Sequence, residues 1–317
     1  MTYDGASEST GDDGGNPEGT QEPEMDAAGE DETPEDGGGP DVPDAPDEPS
    51  TVAPDGEKIG GCVLPRPAED APADPRQVGG VVTDSAYAPF TKHLGVFGIT
   101  LIAGDDVTDA FMEKVSETIQ SIFADNVADP QTQRQILVNL HRYRAVIPLF
   151  KGEPDIDSLG GPAFDRLMDG HSICDIIMED VDGQVMEVLE HILHIVTDVG
   201  LHHTLGEAWA MEEGSTLGQT LDQAIEQGIY GVSSYDDIPE QEVRFRVVIQ
   251  EYAYWIITTG WDVQESYGPG RNEEWTIATP GELQEALPEA HALYLDSLAV
   301  MSPPREALLE ALEAFAP

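Results

Sequence analysis

The stretch Val188–His203, VLEHILHIVTDVGLHH, holds four of the eight histidines of this 317-residue chain. Extended back to Gly183 and ended at Gly200, it reads as a helix that is apolar on nearly every side. Val185, Leu189, Ile192, Val196 and Val199 line one face, and Val188, Leu193 and Ile195 fill others. A helix apolar almost all round is a buried one. Along it runs a single polar stripe, Glu187, Glu190, His191, His194, Thr197 and Asp198, at spacings of three and four that bring the side chains together. Ionisable groups in such surroundings are costly unless they are paired or bind a metal, so the stripe requires a partner.

Glu190 and His194 are four residues apart and can share one ion from the same helix face. The third ligand must come from elsewhere. In VVIQEYAYWII, Glu251 is the one carboxylate among Val247, Val248, Tyr254 and Trp255, an isolated acid on an apolar helix. Each feature also has an ordinary reading. The stripe can be a solvated face, His194 a hydrogen-bonded core histidine, and Glu251 a partner of Arg244 or Arg246. The three anomalies together point to a site for zinc or another divalent metal. His202 and His203 lie beyond Gly200 and read as loop residues.

Outward from this helix, GVFGITLIAG (95–104) is apolar, β-rich and bounded by glycines, which predicts one buried strand. DDVTDAFMEKVSETIQSIF predicts a helix with Thr108 as N-cap and Phe111, Val115, Ile119 and Ile122 on its inner face. PQTQRQILVNL reads as a short helix, RAVIPLF (144–150) as a second strand, and 152–170 as a long loop rich in Gly, Pro and Asp. STLGQTLDQAIEQG is a helix, another runs from Pro239 to about Thr259, and the C-terminal segment gives further helices broken at Pro288 and at Pro303–Pro304. Strands early and helices late predict an α+β fold with a small sheet and several helices.

GITLIAG, VTDAFMEKV, and EHILHIVTDVGL leading to EYAYW resemble the zincin metallopeptidases of the gluzincin kind, over roughly residues 90–260. The resemblance implies a zincin-like domain that hydrolyses peptide or protein substrates with zinc. It also implies that Glu190, His194 and Glu251 are the ligands and that His191 stands where the family has its general base. The family's H-E-x-x-H is here E-H-x-x-H. A Glu-His-Glu set is more anionic and lowers the Lewis acidity of the ion, and an imidazole at the base position reaches differently from a carboxylate. His191, His194 and Glu251 form an alternative set. A catalytically degenerate zincin-like domain, serving as a metal-binding or surface module, is therefore the second reading.

Composition bounds the rest. The first 60 residues hold 11 Gly, 8 Pro and 19 acids against Lys58 and a single aromatic, Tyr3. Such a segment cannot bury enough apolar surface to offset its chain entropy, so residues 1–75 are expected to be a disordered acidic tether and 76–317 the folded domain. Of the net charge of −49, residues 61–317 carry −31, from 44 acids and 13 bases. That surface repels phosphate backbones and excludes nucleic-acid binding. It fits a protein kept soluble in high salt. No apolar run is long enough to span a membrane. A Gly/Pro-rich acidic leader resembles the spacer of bacterial lipoproteins, which predicts a monomer outside the cell or on its surface, lipid-anchored after removal of a signal segment. The other reading is a cytoplasmic protein with a genuine start at Met1. Cys62 and Cys174 match no metal or redox spacing, and either a disulfide or two free thiols is open.

Overall fold

The computed structural model describes residues 56–153 and 162–317. The expected disorder of residues 1–55 lies outside them. The tether as expected is too long, however. Strands β1 (Glu57–Ile59) and β2 (Cys62–Leu64) form a hairpin with Ile59, Cys62 and Leu64 buried in the core, so the folded domain begins before residue 60. Alternate apolar residues in this short run were outweighed by the acidic composition around them.

The domain is α+β. A five-stranded mixed sheet has the order β3-β4-β5-β6-β7, formed by Val82–Thr83, Lys92–Val96, Ile99–Ala103, Ala145–Lys151 and Ile177–Glu179. The β3–β4 and β4–β5 pairs are antiparallel, and the β5–β6 and β6–β7 pairs are parallel. The single strand expected over 95–104 is instead the β4–β5 hairpin. Phe97 and Gly98 have φ of 52° and 86°, the two left-handed positions that a tight two-residue hairpin turn demands. The apolar run is continuous because these strands are covered on both faces. Ile99, Leu101 and Ala103 enter the main core, and Ile102 joins Phe90, Val146, Leu167 and Ile173 on the other side.

Helices α1 (Asp109–Ile122) and α2 (Pro130–Arg142) connect β5 to β6. Thr108 caps α1 by accepting from the Phe111 N–H, and Phe111, Val115, Ile119 and Ile122 are fully buried, as the spacing requires. Between β6 and β7, residues 162–170 form helix α3 (Pro162–Gly170) where a loop was expected. Its one buried residue, Leu167, anchors it to the far face of the sheet, too weak a pattern to outweigh the surrounding Gly and Asp.

β7 leads directly into α4 (Gln184–Ile195), which continues through a π-helical turn, Val196–Leu201, and packs against β6, β7, α10 (Glu306–Glu313) and α7 (Gln241–Gly260). α5 (Gly206–Trp209), α6 (Thr216–Glu226), α8 (Pro280–Ala286) and α9 (Pro288–Ser297) complete the helical layer. Cys62 and Cys174 are joined in a disulfide across 112 residues, a loop whose closure stabilises the fold by about 5 kcal/mol in the chain-entropy account. Among the described residues no helix is long and apolar enough to cross a membrane.

Candidate metal centre

α4 is buried as its composition demands, and its polar stripe is buried with it. His194, Thr197 and Asp198 have no exposed surface, His191 is 7% exposed, and Glu187 and Glu190 are partly buried. α7 lies against α4 and brings Glu251 to the stripe. The segment entering β7 brings Asp175.

Two groups of ligand-type atoms result, each within 4.8 Å: Glu190, His194 and Glu251, and Asp175, His191 and His194. His194 belongs to both because its ring nitrogens face opposite partners. Nδ1 hydrogen-bonds Asp175 Oδ2 at 3.1 Å, and Nε2 lies 3.4 Å from Glu251 Oε2. Arg244 and Arg246 do not compete for Glu251. Arg244 pairs with Asp236, and Arg246 donates to the Gly60 carbonyl. His191 is held by three acids, with Nε2 at 3.5 Å from Asp175 and 3.6 Å from Glu190, and Nδ1 at 3.3 Å from Glu187. The set of His191, His194 and Glu251 is not gathered around one point; His191 falls in the group with Asp175 instead. Asp175 carried no signal in the sequence beyond being a lone acid in the apolar run ICDII.

Burial alone would lower the His194 pKa, but the Glu251 and Asp175 carboxylates outweigh it and push the group up to about 10. His191 follows the same logic and is raised well above its ordinary value, despite burial, by Asp175, Glu187 and Glu190. Asp175, which burial would raise, is held well below the carboxylate range by the two imidazoles. Glu190, likewise opposed by burial, is lowered by its hydrogen bond to His191. Glu251 is raised by burial and by the Glu190 charge, even against His194. Asp198 is raised well above the usual range by burial, with Glu251 adding to it. The surrounding carboxylates thus favour positive charge on the imidazoles, and a divalent ion beside His194 would offset the same carboxylates.

The residues fit such an ion. His194 Nε2 is fully buried and makes no hydrogen bond, although Glu251 stands beside it. Two ligands about 2.1 Å from zinc at a tetrahedral angle are about 3.4 Å apart, which is the spacing found here. The Nδ1 contact to Asp175 completes the carboxylate–histidine arrangement that orients metal-bound imidazoles.

His202 and His203, expected in a loop, follow the π turn and belong to no such group. His202 Nδ1 accepts the Met211 N–H, and the His203 ring stacks on Tyr143 at 4.1 Å. The chain matches no protein-family model, no curated protein and no solved structure.

Proposed function

We propose that this protein binds one zinc ion, or another divalent metal, through Glu190, His194 and Glu251, and hydrolyses peptide bonds outside the cell as a divergent zincin-like enzyme. The observation that carries the reading is the orphaned, fully buried Nε2 of His194 between Glu190 and Glu251. When bound, the metal supplies Lewis-acid polarisation of a carbonyl. Asp175 holds the His194 ring by accepting from Nδ1, which leaves Nε2 free to ligate. His191 holds a proton at Nε2 between Asp175 and Glu190, and Tyr254 packs edge-on against His194 to keep solvent from the ring. The disulfide supports placement in an oxidising compartment, in keeping with a lipoprotein-like leader.

One observation favours the second reading, a metal-binding module without turnover. His191 occupies the base position yet is tied to three carboxylates at once. Carboxylates on both ring nitrogens favour the protonated imidazole, which donates to them and has no lone pair free to take a proton from substrate.

The test is metal content together with peptide cleavage. The purified protein should carry about one zinc per chain, and a chelator should lower its Tm, because a ligand bound only to the folded state stabilises it. Glu251→Gln should lose the metal. Metal-free protein whose melting ignores excess zinc defeats the whole reading; zinc-loaded protein that cleaves no unstructured peptide leaves the non-catalytic module.

A further inference from the structure

The β1–β2 hairpin sits on the two helices that carry the proposed ligands. At its tip, Gly60 has φ of 51° and lies so close to Asp198 that a Cβ there would overlap the Asp198 carboxylate. Gly61 N–H donates to the Gln250 side chain, next to Glu251, and Gly60 O accepts from Arg246 one turn earlier on α7. Cys62 Sγ is 3.5 Å from Asp198 Oδ2, one turn beyond His194. The same cysteine is bonded to Cys174, whose chain neighbour is Asp175. The hairpin is therefore fastened to α4, to α7 and to the segment that presents the one carboxylate touching both histidines.

We propose that the Cys62–Cys174 disulfide is a redox control on the metal centre, fixing Asp175 against His191 and His194 when closed and releasing it when opened. This rests on the zinc reading above and adds regulation to it. A dithiol reductant opens the bond by transferring two electrons and two protons. It becomes a disulfide itself and leaves Cys62 and Cys174 as thiols. Asp175 then has no covalent tie to the hairpin. The backbone stays anchored at Ser172 and at β7 on either side, and between them Asp175 is held only by its contacts to the two imidazoles. Partners that orient a ligating imidazole set metal affinity over about 10- to 100-fold, so this is the range the switch commands.

Zinc affinity is measured on the full chain by competition with a chromophoric chelator, in the oxidised protein, the dithiol-reduced protein and the Cys62→Ala variant, with circular dichroism checking that each is folded. Cys62→Ala opens the bond without freeing the two thiols that, with Asp198, form a separate group of zinc-ligating atoms in the reduced protein, so it is the deciding arm. Opening the bond in Cys62→Ala is expected to weaken zinc binding about 10- to 100-fold. Asp175→Asn in the oxidised protein is expected to weaken it as much, and adding Cys62→Ala to that variant to weaken it no further, since coupled changes do not add. Equal affinity in the oxidised protein and Cys62→Ala overturns the switch while sparing the zinc site, and so does a loss that adds to that of Asp175→Asn. An oxidised protein that binds no zinc overturns the site and the switch together.

Discussion

At the scale of single residues the centre turns on the order of Glu190 and His191. As the fold stands, His191 faces Asp175, Glu187 and Glu190, and its charge offsets part of theirs. The double substitution Glu190→His with His191→Glu keeps the composition of α4 and gives residues 190–194 the order H-E-x-x-H. It also sets a carboxylate at 191 among Asp175 and Glu187 with no proton to offset it. Removing one partner from a buried charged pair costs about 3–5 kcal/mol, so the swapped protein should depend on zinc for its stability more than the natural one. Chelation is then expected to lower its Tm further than it lowers that of the natural protein. Cleavage of a peptide library should rise, because the second position now offers a carboxylate to take a proton and the first a neutral ligand. Single substitutions should not sum to the double, since the two side chains are neighbours. A natural protein that outperforms the swap would mean that Glu190 and His191 are a working arrangement. A swapped protein that holds zinc and cleaves nothing would place the cause of inactivity outside this pair.

Among the elements, the corner where α4 ends in its π turn has its own chemistry. His203 is largely removed from water against Tyr143 and next to His202, and burial with the neighbouring His202 lowers its pKa to about 4. Burial lowers His202 too, and its Nδ1 must stay unprotonated to accept from Met211. Between about pH 6.5 and 4 the unfolded chain therefore takes up protons that the folded chain refuses. Stability is full above pH 6.5 and falls as the pH drops towards 4, by about 2 kcal/mol from His203 at pH 5. His203→Gln should flatten the fall of Tm between pH 7 and 5, and an unchanged slope would show that this histidine titrates freely in the folded state. The same stretch shows what a sequence can reveal. The burial of α4, the stripe along it, the cap at Thr108 and the isolation of Glu251 are periodic or local features, and all were legible. Asp175 was not, because its role comes from a strand register and a disulfide that bring distant segments together. Nor was the β4–β5 hairpin, whose turn residues Phe97 and Gly98 are apolar or small and lie inside an apolar run. The β1–β2 hairpin was hidden for a related reason, since three-residue strands leave too few alternations to stand out from acidic surroundings.

For the molecule as a whole, charge is the largest unbalanced quantity. Residues 61–317 hold 44 acids and 13 bases, and several of the bases already serve two carboxylates, as Lys151 does with Glu179 and Asp180 and Arg271 with Glu265 and Glu282. Most acids therefore have no cation beside them, and their mutual repulsion favours expansion of the chain. Monovalent salt screens that repulsion over about 10 Å at 0.1 M and about 3 Å at 1 M, so it should stabilise the fold where many proteins show little response. Raising sodium chloride from 10 mM to 1 M on zinc-saturated protein is expected to raise Tm by at least about 5 °C, which for a domain of this size corresponds to about 1–2 kcal/mol. Potassium chloride should do the same, since screening depends on ionic strength and not on the identity of the ion. Zinc stoichiometry should not change, because the proposed ligands at α4 and α7 are largely withdrawn from solvent and salt screens such groups far less. If magnesium chloride at matched ionic strength raises Tm well beyond sodium chloride, the surface carboxylates bind divalent ions individually and the response is site binding. A Tm indifferent to all three salts would mean that the unfolded chain, carrying the same charges, repels itself as strongly as the folded one, and that the acidity acts on solubility alone.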